Sequence, residues 1–142
     1  MVYNKHSWNS HSNILFLGQP VNVGYSYSDG GSQVDRSAAA GEDQYAFFQL
    51  FFNRFPEYSK APFHMAAESY GGTYAPNAAA IFHGRNKQLA LSPVSDIIKF
   101  NLAPVILANG LILTSKWLRF QIGPVRDLIL CMMILMVRNV WL

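Results

Sequence analysis

"HMAAESYGGTYAP", residues 64–76, places a serine among small residues, after an apolar run and before a helix-like one. Its centre reads Ala67-Glu68-Ser69-Tyr70-Gly71, a small-x-Ser-x-Gly pattern. A tight strand-to-helix turn of this kind lifts the serine hydroxyl above the end of a sheet, and small neighbours let strand and helix approach closely. Ala67 stands where glycine is usual and is still small. A helix starting just after Ser69 would aim its N-terminal N–H groups and positive dipole end at that hydroxyl. Taken alone, the five residues fit a serine capping a helix equally well. The apolar run before them and the helical pattern after them favour the turn.

Working outward, three short apolar runs read as buried strands: Ile14 to Leu17, Phe63 to Ala67 and Val105 to Ala108. Each is followed by turn chemistry, "GQPVNVG", "ESYGG" and "NG". Between the first two lies a helix. Ser32-Gln33-Val34-Asp35 has the form of a capping box, apolar residues recur at Ala40, Phe47, Phe48, Phe51 and Phe55, and Pro56 stops it. A second helix is predicted from about Gly71 to Phe82, ending at Gly84, with Pro76 in or near its first turn. Strand, helix, strand, helix, strand is the α/β signature of a parallel sheet.

Length and composition agree. A chain of 142 residues is one ordinary domain, and 51% hydrophobic residues against 13% charged favours strands buried on both faces. The net charge of +3 is mild and no basic block tracks with aromatics, so no nucleic-acid partner is expected. A single cysteine, Cys131, excludes an intrachain disulfide. Met1 opens onto a polar stretch, so no secretory signal is read here, and no N-x-Ser/Thr site occurs. Near the C-terminus "LILCMMILMV", residues 128–137, is continuously apolar. It is about half the roughly 20 residues a spanning helix needs, so a core helix or an added extension is expected rather than a membrane segment.

At this point the chain resembles a known family. "FHMAAESYGGTYAP" resembles the nucleophile segment of the serine carboxypeptidases, especially the fungal vacuolar type. "SWNSHSNILFLGQPVNVGYSYS" is similar to their upstream strand and loop, "FFNRFPEY" to the end of the intervening helix, and "VILANGL" to the next strand. The likeness runs collinearly from about Asn4 to about Leu111. It implies an α/β-hydrolase fold, here a partial one with parallel strands, flanking helices and an incomplete sheet over residues 1–114, followed by an apolar tail, 115–142, without resemblance. It also implies hydrolysis of C-terminal peptide bonds at acidic pH through a Ser-Asp-His triad, with peptide or protein C-termini as substrate, no cofactor or metal, and a vacuolar or secretory location. Ser69 matches the nucleophile, and Tyr70 the residue whose backbone N–H forms half the oxyanion hole. Glu68 matches the glutamate that recognises the substrate's terminal carboxylate; a carboxyl crowded beside another acid keeps its proton and can donate.

The remaining machinery is not legible. Triad partners would follow the serine, yet only His83 does among the histidines, and on a helix starting near Ser69 it would lie roughly 20 Å away. Asp96 and Asp127 have no histidine to orient, and His64 reads as packed or exposed rather than as a base. Nothing like the family's Asn-Gly-Gly-Pro-Gly loop precedes Asn4. The strand leading into that loop, which sits between those matching residues 14–17 and 63–67, is missing too, so a gap inside the sheet is expected. Gly18 and Leu113 stand where aspartate is common. The expectation is therefore a central segment of a carboxypeptidase, inactive alone. A non-catalytic remnant or gene-model fragment, and an acyltransferase or esterase on the same scaffold, stay open.

Overall fold

The computed structural model describes residues 2–31, 33–34, 36–110 and 131–137, the last as main chain only. Its elements are β1 (Ser12–Gly18), α1 (Ser37–Arg54), β2 (Phe63–Glu68), α2 (Gly71–Leu91), β3 (Ile106–Ala108) and β4 (Cys131–Val137). The strands form one sheet in the order β1-β4-β2-β3.

All three predicted strands are present. β2 and β3 pair in parallel, Ala66 opposite Ile106 and Glu68 opposite Ala108. β1 and β2 each pair antiparallel with β4, so they run parallel to each other. In β2, Phe63, Met65, Ala66 and Ala67 are all buried, which is why Met65, Ala66 and Ala67 follow one another unbroken instead of alternating with polar residues.

The expected gap is closed by the tail. β4 lies between β1 and β2, with Ser12 opposite Val137 and Gly18 opposite Cys131 on one edge, and Phe63 opposite Met136 and Ala66 opposite Met133 on the other. Residues 131–137 are therefore neither a core helix nor a detached extension. An apolar strand paired on both edges satisfies backbone groups that would otherwise line a slot inside the sheet. Residues 128–130 and the 114/115 boundary lie outside the described residues.

α1 begins at Ser37 and ends at Arg54 before Pro56, with no side-chain cap at Arg36. The capping box expected at residues 32–35 is not at the helix start, and Ser32 and Asp35 lie outside the described residues. The buried line of α1 is Ala40, Gln44, Phe48 and Phe52, one residue per turn at i, i+4 spacing, while Phe47 and Phe55 are partly exposed. α1 crosses α2 closely at Gly41, where an added Cβ would stand 2.6 Å from Ile81 Cδ1. α2 runs to Leu91, through Gly84, so Gly84 does not end it, and Pro76 sits in its second turn.

The core is aromatic. Phe48, Phe52, Phe63, Phe82 and Phe100 are buried against Met65, Ala75 and Ala78. Phe63 stacks on Phe82 at 5.7 Å, and Phe82 meets Phe100 at 4.7 Å. Burying each such ring contributes about 1.5–3 kcal/mol, with the ring pairs adding to it. Gln49 is buried among them because its amide mimics a strand partner: it donates to Ile98 O and accepts from Ile98 N–H, both at 2.8 Å.

Candidate active site

β2 ends at Glu68, and the chain turns through Ser69 and Tyr70 into α2. Ser69 has φ +54°. Among the described residues four non-glycine residues have positive φ, and the other three are Asn22, Asp96 and Asn109. Asn and Asp tolerate the left-handed region through their short polar side chains; a serine held there is strained, and such strain gathers at functional turns.

The surroundings hold the turn in place. Ser69 N–H donates to Ala108 O at 3.2 Å, tying the turn to the end of β3. Gly72 N–H donates to Ser69 O at 3.0 Å and Thr73 N–H to Tyr70 O at 2.9 Å, so the helix starts within the turn. Small residues are obligatory where strand and helix meet. A Cβ on Gly71 would stand 2.7 Å from Ala67 Cβ, and one on Gly110 would stand 3.1 Å from Gly72 Cα.

Glu68 and Ser69 are exposed at the C-terminal end of the sheet, and Tyr70 is half-buried against Tyr74, ring centroids 5.3 Å apart. Burial, with the Tyr70 phenol adding to it, pushes the Tyr74 phenol above its ordinary value of 10.0. Among the described residues no acceptor takes the Tyr70 N–H and no side chain is hydrogen-bonded to the Ser69 hydroxyl. The arrangement can present a hydroxyl and a backbone donor to the same incoming carbonyl.

The histidines lie elsewhere. His64 Nδ1 is 3.2 Å from Pro104 O, and five residues of strand put it about 16 Å from Ser69. His83 is exposed well along α2. His6 and His11 precede β1, whose start lies at the opposite end of the sheet from Ser69. No group of three or more His, Cys, Asp or Glu able to hold a metal occurs among the described residues. The structure thus brings Glu68, Ser69 and Tyr70 together and leaves every histidine apart. At the same end of the sheet, Gly18 has no room for a side chain: a Cβ there would lie 2.9 Å from Val23 O. The aspartate common at this place in the family would not fit here, a constraint that no sequence signal announced.

A family model described as serine carboxypeptidase matches residues 1–122, extending past Leu111. Carboxypeptidase Y of Candida albicans is 47% identical over 110 residues, covering 78% of this chain and 18% of that protein. Carboxypeptidase Y homolog A of Aspergillus oryzae is 48% identical over 111 residues, and that of Aspergillus clavatus 47% over 110, with the same coverage. The chain therefore spans about a fifth of the length of the curated relatives it matches. Parallel strands with flanking helices are what an α/β-hydrolase family requires, and with the family match running through most of its length, this chain belongs to the serine carboxypeptidases.

Proposed function

We propose that Ser69 is the nucleophile of a serine-type carboxypeptidase site, forming an acyl-enzyme with the C-terminal residue's neighbour and releasing the terminal amino acid. The observation that carries this reading is the φ of +54° at Ser69 in a strand-to-helix turn. Tyr70 N–H would stabilise the oxyanion, and Glu68, exposed beside it, would meet the substrate's terminal carboxylate. Residues 1–114 are proposed as the carboxypeptidase segment, the family match running on to residue 122, and the strand at residues 131–137 of the tail completes the sheet. The substrates are peptide or protein C-termini. A vacuolar or secretory location is proposed for the whole protein, with its likeness to the carboxypeptidase Y relatives as support.

By itself the chain is proposed to be inactive, because a serine hydroxyl is a weak nucleophile without a base and no histidine reaches Ser69. Losing triad members lowers turnover by on the order of 10⁴ to 10⁶. A peptide-release assay on the chain should match that of Ser69→Ala, and turnover abolished by that change would overturn the inactivity. The nucleophile assignment is tested in a chimera, with residues 4–110 replacing the corresponding segment of Candida albicans carboxypeptidase Y. A folded chimera should release C-terminal residues and lose that activity by on the order of 10⁴-fold or more with Ser69→Ala. A folded chimera no more active than its Ser69→Ala form would refute the assignment.

A further inference from the structure

β3 ends at Ala108, and the next two residues are Asn109 and Gly110. Asn109 is the only asparagine in the sequence that a glycine follows. It has φ +46°, so the chain leaves the line of the strand there, and it is exposed. The ladder with β2 closes at the Glu68–Ala108 pair, and among the described residues nothing accepts a hydrogen bond from Gly110 N–H.

Asparagine is one of the thermally labile residues, because its side-chain carbon Cγ can close a ring with the main-chain nitrogen of the next residue. Closure is resisted where that N–H is engaged in a hydrogen bond or where the next side chain crowds the nitrogen. Asn53, Asn77 and Asn86 lie in helices, where the next N–H is tied to the preceding turn and the next residue is Arg54, Ala78 or Lys87. Neither protection covers Asn109, since Gly110 has no Cβ and its N–H is unpaired among the described residues. We propose that Asn109 is a self-modification site. Gly110 N attacks Asn109 Cγ and gives up its proton, ammonia leaves with the side-chain nitrogen, and water opens the resulting succinimide. The product is a carboxylate, on an aspartate or on an isoaspartate whose main chain is one carbon longer. Either change falls on the Ser69 turn. Ala108 O, one residue earlier, accepts from Ser69 N–H, and Gly110 lies so close to α2 that a Cβ on it would stand 3.1 Å from Gly72 Cα. The modification does not depend on the role assigned to Ser69.

Incubation of the full chain at mildly alkaline pH, followed by peptide mass mapping, tests the proposal, with fragmentation separating Asn109 from Asn101. The mass gain of an amide turned acid should appear at Asn109 several-fold faster than at any other asparagine. It should speed up as pH rises, because hydroxide removes the Gly110 proton. Asp29, also followed by glycine, can close the same ring without a change of mass and does not disturb this readout. Asn109→Gln, which needs a larger ring, should lose the reaction, and Gly110→Ala should slow it several-fold by crowding the nitrogen. NMR of the converted chain should show the Ser69 and Gly72 amide signals displaced. Faster conversion at another asparagine, a rate at Asn109 that ignores pH, or Ser69 and Gly72 signals unmoved by conversion would each overturn the proposal. Asn109→Gln keeps the test decisive if Gly110→Ala fails to fold, since Asn109 is exposed.

Discussion

Ser69 is the residue at which function and stability pull in opposite directions. Its left-handed backbone is unfavourable for any residue with a Cβ, and glycine adopts it freely. Ser69→Gly should therefore stabilise the chain by about 1 kcal/mol in urea unfolding, whereas Ser69→Ala, which keeps the Cβ, should not. A Ser69→Gly chain no more stable than Ser69→Ala would mean that the turn carries no strain. Two residues on, the argument reverses. Gly71→Ala drives a methyl to 2.7 Å from Ala67 Cβ, and the overpacking should cost about 1–3 kcal/mol. The serine was legible because the small-x-Ser-x-Gly pattern is a steric requirement written in residue sizes. Gln44 and Gln49 were not: a glutamine on an amphipathic helix reads as solvent-facing, and only the partners that reach it decide otherwise.

Among the elements, β1, β2, β3 and both helices could be read from apolar runs and their turns, because each is set mainly by local sequence. The end of α2 could not. Gly84 is a helix stop only if nothing holds the next turn, and here Asn86, beyond it, pairs with Phe100 through both its amide atoms, donating at 2.8 Å and accepting at 2.9 Å. β4 was misread for a related reason. A short unbroken apolar run does not distinguish a helix from a strand buried between two others. Its identity comes from the slot between β1 and β2, residues distant in sequence. This makes a sharp prediction. Ile134 pairs with Leu15 on one side and Met65 on the other, so Ile134→Pro removes a ladder donor in the middle of the sheet, where proline is not tolerated, and should destabilise the sheet. Hydrogen exchange should show amides of both β1 and β2 losing protection together. Protection unchanged in both strands would mean that β4 is not between them in solution.

At the scale of the whole molecule, the sheet formed by the described residues has two open edges. Among the described residues β1 and β3 are the outer strands, and each offers one row of backbone groups without a ladder partner. On β1, Phe16 is 64% exposed; on β3, Ile106 and Leu107 are each 39% exposed. Natural sheets guard such edges with charge, proline or a covering helix, because an apolar seven-residue edge is a template for another copy. The chain should accordingly self-associate as its concentration rises, through main-chain pairing along β1. A lysine on the outer strand repels its own counterpart in an approaching copy and disfavours stacking of the exposed face. Phe16→Lys should therefore shift the sedimentation profile at a given concentration toward the monomer, with the thermal transition little changed because the ring is already mostly in water. If Phe16→Lys sediments as the parent chain does, while a lysine at Leu107 restores the monomer, then association runs through β3 and the edge that matters is the one beside Ser69.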